Sequence, residues 1–531
     1  MRLAVLSLVF SALLSAAPGG AQQPQGVFPA ASLRLKLYVW HVTNPATVVT
    51  GKQAPILEER GPFVWSRRVD RSLGCDNRTA ADDEDSSCFY PREEFTFLAN
   101  ESCAGICQDV DGRQHTVLSV SFVGVVTNAK MLGVKGRVLM DLITSEWKAR
   151  NLVFTQRSAS ELAFGWQDEL LNSLRTFDGT VNTFIPGLTA RSTANQSVAD
   201  ARAAGPSIVR TRVPVDAGND VDAPFVGELL LWRGGTSSTC CTADRQACPP
   251  NAPSPPWSPP LASAVRGSAD GLLFRPGLTP TSIVRAWSPE ALRSVLLVAN
   301  GTVPCGEASC MRMMFDPTRS GEESDGITPE SYDLVSPPGL MTNFSRCNSG
   351  VPVLSTAPHF LFVESAAVKG TVQGVSPADL DAHGTYADVD PETGVTQWGA
   401  ERAQLAVPLA PADVEGSTWL PHLPRVPLFP VLWFELSGGV LPINNSQPQP
   451  SPQPPSPQPD DDRDAGAGSS PAWLAPGAAG AGALAGATVV AAMWWSTSRG
   501  GLQRTEEAAE APTLREPLLA EEPGTEPNNE S

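Results

Sequence analysis

Short stretches of the chain alternate apolar and polar residues and are bounded by Pro and Gly. Residues 37–45 alternate up to an Asn-Pro turn, residues 56–65 alternate around a Gly-Pro pair, and residues 95–98 resume the pattern. A two-residue period is typical of β-strands with one buried face. These stretches predict a mixed fold, β with α, in which antiparallel strands dominate and helices are set apart from them.

Residues 129–150 follow a helical period instead. Met131, Val134, Val138 and Leu142 recur at spacings of three and four, which predicts an amphipathic helix. Its remaining positions carry a cluster of cations in an otherwise acidic chain: Lys130, Lys135, Arg137, Lys148 and Arg150. Such a cluster is a candidate binding surface for anionic or acidic ligands. The alternative is an ordinary amphipathic helix whose basic face is solvated.

Two apolar runs lie near the ends of the chain. Residues 1–21 begin with Met1-Arg2, continue with a short apolar run and end in small residues, which predicts a signal peptide, with an uncleaved anchor as the alternative. Residues 473–495 carry no charge and have Trp at both ends. At ~1.5 Å per residue they make a helix roughly 34 Å long, enough to cross a bilayer core of about 30 Å. An Ala/Gly-rich linker is the competing interpretation.

The charges that flank this run predict the orientation and the domain order. Acidic residues precede it and Arg499 and Arg504 follow it, so the C-terminus is expected in the cytoplasm. We expect an ectodomain at 22–446, a Pro-rich and acidic stalk at 447–470, a transmembrane helix at 471–497 and a cytoplasmic tail at 498–531. Gly482 and Gly486 form a GxxxG pair, which is weak support for a homo-oligomer through that helix.

Composition supports an exported protein. The net charge of −18 argues against nucleic acid as a partner. The 10 cysteines of an exported chain are candidates for disulfides, and their spacing leaves the pairing open: Cys75, Cys88, Cys103, Cys107, Cys240, Cys241, Cys248, Cys305, Cys310 and Cys347. Asn-x-Ser/Thr sequons are spread over the predicted ectodomain as glycosylation candidates: Asn77, Asn100, Asn195, Asn300, Asn343 and Asn444.

Recognised catalytic motifs are missing from the sequence, which has no GxSxG, HExxH or phosphate-binding loop in the ectodomain. His359 and His383 are the most plausible acid–base groups. Asp388, Asp390 and Glu392 alternate like calcium ligands but lack the spacing of a known calcium loop. A strand that runs into a Pro-Gly turn explains the same residues. We therefore expect no enzyme activity, no cofactor and no metal.

Several ordered motifs resemble one protein family. VWHVTNP and LEERGPFVW occur near the start of the ectodomain, and residues 345–362 read SRCNSGVPVLSTAPHFLF. Residues 383–394 read HGTYADVDPETG, and PVLW follows at 430–433. In this order the motifs resemble the class B scavenger receptor and lysosomal integral membrane protein family. Val284 stands where that family usually has a cysteine, which leaves the family's partner for Cys347 in doubt.

The resemblance implies an antiparallel, β-barrel-like ectodomain with a helical apex bundle and an internal hydrophobic tunnel. It also implies a receptor of lipids or lipid-carrying particles that passes sterol or fatty acid to the membrane; Lys148 and Arg150 are the nearest matches to the basic apex. Acidic or glycosylated protein ligands are further expected partners. The alternatives are an endosomal or vacuolar sorting receptor and an adhesive surface glycoprotein without lipid transport.

The location follows from the same features. The family usually has two membrane spans, whereas little sequence precedes residue 37 here, so we expect a single-pass type I protein or an incomplete N-terminus. Leu518 and Leu519 resemble a dileucine sorting signal, although Leu514 occupies the place of its usual acidic residue. The expected membrane is therefore the plasma membrane or that of a lysosome or vacuole.

Overall fold

The computed structural model describes residues 31–75, 85–105, 107, 110–112, 114–147, 149–176, 181, 183–188, 195–213, 224–238, 257, 260–306, 308–316, 342–345, 351–363 and 371–440. Contacts divide the chain into two compact units, residues 1–172 with 182–461 and residues 173–181 with 462–531. Of the second unit only residues 173–176 and 181 are described. The fold below is that of the first unit.

The strands of the described residues are β1 (Ser32–Val42), β2 (Leu57–Asp70), β3 (Ser86–Phe89), β4 (Arg92–Phe97), β5 (His115–Leu118), β6 (Phe154–Arg157), β7 (Gly165–Gln167), β8 (Phe184–Pro186), β9 (Ser207–Arg210), β10 (Leu229–Leu231), β11 (Ile283–Ser288), β12 (Arg293–Cys305), β13 (Ala308–Phe315), β14 (Thr342–Asn343), β15 (Leu354–Thr356), β16 (Tyr386–Val389), β17 (Thr396–Leu409), β18 (Ala412–Val414), β19 (Ser417–Trp419) and β20 (Val426–Gly439).

The α-helices of the described residues are α1 (Pro45–Val49), α2 (Val120–Leu132), α3 (Val134–Glu146), α4 (Ala149–Val153), α5 (Ala159–Phe164), α6 (Glu169–Arg175), α7 (Val198–Ala204) and α8 (Leu380–His383). Short 3-10 turns lie at Ser102–Gly105, Pro260–Ser263 and Pro358–Phe360.

One large antiparallel sheet organises the described residues. Its strands follow the order β11-β12-β13-β16-β17-β20-β1-β2-β4, and β15 also pairs with β17. The mixed fold and its dominant antiparallel sheet are thus confirmed. β20 is buried along almost its whole length, because its residues pack on both faces of the sheet and its sequence is nearly continuously apolar.

The register of the central strands separates two faces. Leu35 of β1, Leu436 of β20 and Glu401 of β17 lie side by side on the face that we call the cavity face. Their neighbours Lys36, Glu435 and Arg402 lie side by side on the opposite face, which we call the paired face, since successive strand residues point to opposite sides.

The expected helix at 129–150 is in fact three helices. α2 begins with Ser119, whose hydroxyl accepts a hydrogen bond from Phe122 N at 3.1 Å, and it ends at Gly133, where φ is +58°. α3 then turns back on α2 so closely that a Cβ on Gly136 would lie 1.8 Å from the carbonyl oxygen of Ala129. The single-helix prediction was wrong because this close approach is a tertiary contact, which the periodicity does not encode.

Disulfides join three pairs of the candidate cysteines. The bonds are Cys75–Cys88, Cys103–Cys107 and Cys305–Cys310, with Cα atoms 5.6, 5.3 and 5.7 Å apart. The last one closes the β12–β13 hairpin. The expectation of disulfides is confirmed. Cys240, Cys241, Cys248 and Cys347 lie outside the described residues.

The predicted membrane segments belong to the two ends of the chain. In the part of the chain that the structure describes, no helix has the length and apolarity needed to cross a bilayer. The predicted signal peptide, stalk, transmembrane helix and tail, with Leu518 and Leu519, lie outside that part.

Candidate functional site

The cavity face of the large sheet encloses a cavity of about 200 Å³. Its walls are mostly apolar and come from segments that are distant in sequence: Leu272, Phe274, Val295, Leu297, Phe315 and Leu436. Pockets that enclose a drug-sized ligand measure about 300–1,000 Å³. The cavity therefore has room for a segment of a lipid rather than for a whole one.

Strand register explains why these side chains converge. Leu297 of β12 pairs with Phe315 of β13, and Ala387 of β16 pairs with Gly399 of β17. Glu401 follows two residues after Gly399 and therefore points to the same side. The end of β11 also meets β17. The hydroxyl of Ser288, the last residue of β11, donates a hydrogen bond of 2.5 Å to Glu401 Oε1.

Glu401 is an ionisable group of the cavity whose pKa lies far from its ordinary value. Burial raises the pKa of its carboxyl, and the nearby charge of Glu290 raises it further. The hydrogen bond from Ser288 and the charge of Arg67 lower it, and the resulting pKa is about 8. At neutral pH the Glu401 carboxyl is therefore mostly protonated and can donate a hydrogen bond as well as accept one.

The paired face holds a second buried carboxyl in the opposite state. Glu435 Oε1 lies 2.8 Å from Lys36 Nζ, and its Oε2 lies 2.8 Å from Arg402 Nε. Burial alone would raise the pKa of Glu435, but the charges of Lys36 and Arg402 outweigh it and the pKa falls to about 2. The Arg402 guanidinium also donates to the carbonyl oxygens of Asp381 and Gly384, at 2.9 and 2.7 Å.

The two histidines considered as acid–base groups are packed against each other on this second side. The rings of His359 and His383 stack with centroids 4.0 Å apart, and Trp433 meets both edge-on at 5.9 Å. Burial and the neighbouring His359 lower the pKa of His383 to about 4. The Nδ1 atom of His383 accepts a hydrogen bond from Asp379 N at 2.9 Å, as a neutral ring does.

Two of the three candidate calcium ligands, Asp388 and Asp390, accept hydrogen bonds from protein groups. Asp388 on β16 accepts two hydrogen bonds of 2.8 Å from the guanidinium of Arg312. Asp390 accepts from Glu392 N and from Thr393 Oγ1 in the following turn. Among the described residues, no group of His, Cys, Asp and Glu side chains is arranged to hold a metal ion. At this motif the structure forms a strand, β16, followed by a turn.

The predicted basic surface is also an apolar one. Met131 and Val134 are 66% and 64% exposed, and Leu132 and Val138 are exposed as well. Lys130 and Arg137 are exposed beside them, and Lys135 is half-buried. We call Lys130, Met131, Leu132, Val134, Arg137 and Val138 the helix surface. Lys148 lies outside the described residues; Arg150 lies in α4, and its side chain is not described.

A short hairpin supports the helices beneath this surface. The indole N–H of Trp419 on β19 donates to Asp141 of α3 at 3.0 Å. The helices are thus held by a segment that follows 278 residues later in the sequence. Periodicity had indicated the helical character and the cations, but it did not indicate that the apolar stripe is exposed.

Four glycosylation candidates fall in the described residues. Asn100, Asn195 and Asn300 are exposed, and Asn343 is half-buried with its Oδ1 accepting a hydrogen bond from Ser345 N at 2.9 Å. Asn77 and Asn444 lie outside the described residues. Glycosylation at all six positions stays a prediction.

Residues 25–445 match the model of the CD36 family. The chain belongs to the CD36 family. Scavenger receptor class B member 1 of Mus musculus is 23% identical to it over 413 residues, which cover 76% of this chain and 70% of the relative. Lysosome membrane protein 2 of Mus musculus is 22% identical over 381 residues, 71% of this chain and 69% of the relative. The family indicated by the motifs is therefore confirmed.

Neither Glu401 nor Ser288 was singled out from the sequence as a site residue. Glu401 stands in the run Ala400-Glu-Arg-Ala403, where one charged residue points to each face of β17. Only the register with β20 and the hydrogen bond from Ser288 show that Glu401, and not Arg402, lies beside Leu436. The local sequence contains no signal that separates them.

Proposed function

We propose that this CD36-family chain is a membrane receptor that binds lipids or lipid-carrying particles and passes lipid, such as sterol or fatty acid, through its interior to the bilayer. The observation that carries the proposal is the apolar-walled cavity on the cavity face of the sheet. The relatives named as a scavenger receptor and a lysosome membrane protein support a receptor role and a membrane location.

The helix surface is the proposed docking site for the carrier. It combines the exposed apolar side chains of Met131 and Val134 with the cations Lys130 and Arg137. An anionic, amphiphilic particle offers the complementary groups, since apolar patches on a surface mark interaction sites and local cations attract anions. Lys135, Lys148 and Arg150 complete the proposed basic cluster.

Lipid movement in this proposal is passive and needs no catalytic group. Each methylene that leaves water for apolar surroundings contributes about 0.8 kcal/mol. The apolar walls of the cavity would extend into a tunnel that leads to the membrane. A type I topology, glycosylation and residence in the plasma membrane or a lysosomal or vacuolar membrane belong to the same proposal, as does a homo-oligomer through the transmembrane helix.

Two variants of the full chain, expressed in cells, separate docking from lipid passage. Replacing both Met131 and Val134 with Asp should lower the binding of lipid emulsion particles at least about fivefold, because it removes the apolar part of the helix surface. Ala387→Trp should leave particle binding unchanged and lower the transfer of a fluorescent sterol into the membrane, because the indole fills the cavity. Val198→Asp alters another exposed apolar residue, 43% exposed on α7, and serves as the control.

Measurements are normalised to the amount of glycosylated protein at the membrane, so that a misfolded variant is not mistaken for an inactive one. Sterol transfer at the wild-type level in Ala387→Trp would contradict passage through the cavity. Particle binding at the wild-type level in the Met131 and Val134 double variant would contradict docking at the helix surface.

The size of the cavity favours a second candidate function. A volume of about 200 Å³ does not accommodate a whole lipid. A sorting receptor or surface glycoprotein that binds acidic or glycosylated proteins through the helix surface would need no open passage. In that case the double variant loses ligand binding, while neither the wild type nor Ala387→Trp transfers sterol.

A further inference from the structure

The polar groups that line the cavity differ in how far their hydrogen-bonding capacity is used. Arg34 is paired with Glu101, Asp270 with Arg71 and Arg402 with Glu435. Thr396 donates to the carbonyl oxygen of Gly271 at 2.6 Å. Glu401 uses Oε1 for the contact with Ser288, and its Oε2 has no hydrogen-bond partner among the described residues.

The second oxygen of Glu401 is therefore a polar atom that is available for hydrogen bonding to a ligand in the mostly apolar cavity, and we call it the polar end point. Leu436 is the register neighbour of Glu401, and Leu297 and Phe315 line the same cavity from two further strands. A ligand with one small polar head and an apolar body matches such a cavity, because apolar pockets use a few placed polar groups to fix the orientation of the ligand. A polar head left without a partner at this depth would lose its hydrogen bonds to water.

The charges around this end point disfavour an anionic head. Burial and Glu290 raise the pKa of the Glu401 carboxyl and hold it in its neutral form at neutral pH. Arg67 reduces this effect only partly, because it is itself paired with Glu93 at 3.0 Å. Arg34 and Arg402 are neutralised by their own carboxylate partners, and Arg293, the remaining arginine of the lining, is buried and has interactions of its own with the protein. A fatty-acid carboxylate beside Glu401 would experience the same burial and the same negative charge of Glu290 that keep Glu401 protonated, so its ionised form is disfavoured there.

We propose that Ser288 and Glu401 bind the hydroxyl head of a neutral lipid, such as a long-chain alcohol or a sterol, in preference to a fatty-acid carboxylate. A hydroxyl both donates and accepts, and the neutral carboxyl of Glu401 offers the matching acceptor and donor. The inference rests on the proposed lipid-binding function. That function leaves sterol and fatty acid open as cargo, and the inference selects the neutral lipid with a hydroxyl head.

A matched pair of probes tests the preference in the purified full chain. The probes are a long-chain alcohol and the fatty acid of the same chain length, each with a diazirine in the chain and a terminal alkyne. After irradiation at neutral pH, labelled peptides are quantified by mass spectrometry. We expect the alcohol to label β11, β12 and β13 saturably, at a concentration at least about tenfold lower than the acid requires, which corresponds to about 1.4 kcal/mol of preference.

Variants link the preference to the two residues. Glu401→Leu should lower the ratio of alcohol to acid labelling to about one, because it removes the polar end point without adding charge. Ser288→Ala should lower the ratio partly, because it removes one of the two polar groups. Glu392→Gln changes an exposed carboxylate in the turn after β16 and is the matched control.

The pH dependence of acid labelling tests the role of Glu401 directly, because a Glu401 that only stabilised the fold would not change it. As the pH rises through the Glu401 pKa of about 8 the carboxyl ionises, so labelling by the acid should fall further in the wild type. In Glu401→Gln that fall should disappear, because an amide does not ionise.

Two results would overturn the inference in distinguishable ways. If the acid labels the cavity strands as well as the alcohol does, or better, the head-group preference is wrong while lipid binding stands. If neither probe labels those strands saturably in protein whose thermal unfolding is normal, the proposed lipid-binding function fails, and the preference fails with it.

Discussion

Glu401 and Glu435 lie on neighbouring strands, the first half-buried and the second buried, and have opposite charge states at neutral pH. Glu435 has Lys36 and Arg402 beside it in register, and its pKa falls to about 2. Glu401 has Leu436 beside it in register, and its pKa rises to about 8. Burial raises the pKa of both carboxyls, so the cations supplied by the neighbouring strands decide the difference.

The comparison separates two roles within one sheet. On the paired face the buried carboxylate is met by partners, and the resulting network of Lys36, Glu435 and Arg402 fixes how β1, β17 and β20 lie side by side. On the cavity face Glu401 keeps an unused oxygen in apolar surroundings. The paired face therefore carries structure, and the cavity face carries the site that we propose for lipid.

The largest effect is expected from removing a cation of the paired face. Arg402→Met leaves Glu435 with Lys36 alone and frees two backbone carbonyl oxygens, so it should lower the free energy of unfolding by about 3–5 kcal/mol. Chemical denaturation of the purified full chain at neutral pH, followed by Trp fluorescence, measures the change. Arg425→Met removes an ion pair in which the arginine side chain is 70% exposed and should have little effect.

This prediction has an internal check. Adding Glu435→Leu to Arg402→Met removes the buried charge that has lost its partner, so the double variant should recover part of the lost stability. If Arg402→Met is no less stable than Arg425→Met, the ion pairs of the paired face do not stabilise the sheet as described.

A somewhat smaller effect is expected from acid acting on the stacked histidines. The pKa of His383 is about 4 in the folded protein, below the ordinary value of 6.5. As the pH falls below 6.5 the unfolded chain binds a proton at His383 that the folded protein does not bind, so the contribution of His383 to stability declines until about pH 4. With allowance for partial solvent screening, the total decline is about 2–3 kcal/mol. The contribution from Glu435 is lost only lower, between about 4.5 and 2.

Denaturation curves of the wild type and of His383→Asn, compared at a series of pH values from neutral down to about 4, measure this decline, because the opposite contribution of Glu401 is common to both proteins. His383→Asn removes the imidazole but keeps an acceptor for the hydrogen bond from Asp379 N. The variant should be less stable than the wild type at neutral pH and should lose less stability on acidification. An equally steep decline in the variant would assign the acid sensitivity to other groups.

The sequence indicates elements whose pattern is local. The alternation at residues 37–45 and 56–65 corresponds to β1 (Ser32–Val42) and β2 (Leu57–Asp70), and the pattern at 95–98 overlaps the end of β4. The family motifs at 345–362 and 383–394 are also local, and they identified the family correctly. Side-chain alternation and turn residues are properties of a few neighbouring positions, so a single sequence contains them.

The site depends on pairings that are distant in sequence. Glu401 meets Ser288 across a separation of 113 residues, and the local sequence gives no indication that Ser288 meets Glu401 rather than its neighbour Arg402. The exposed stripe of Met131 and Val134 was equally unpredictable, because the chain turns at Gly133 and close helix packing determines which faces are covered. Register and helix packing decide these features, and neither is local.

The smallest effect is expected from giving Glu401 the cation that Glu435 already has. Leu436 is the register neighbour of Glu401 on β20 and lines the cavity. Leu436→Lys should lower the pKa of Glu401 by about 1–3, because an opposite charge within about 4–6 Å favours the ionised form. Alcohol labelling should then lose its advantage over acid labelling, because the cation attracts a carboxylate.

The pH dependence of the free energy of unfolding measures this change in the pKa of Glu401. In the wild type, the contribution of Glu401 to stability should fall as the pH rises from 4.5 to about 8, since the folded Glu401 carboxyl keeps a proton that the unfolded one releases. In Leu436→Lys this fall should end at a lower pH. Glu392→Lys introduces the same cation in the exposed turn after β16 and should leave the profile unchanged. An unchanged profile in Leu436→Lys would mean that the neighbouring strand does not set the charge of this carboxyl, and the contrast between the two faces would then need another cause.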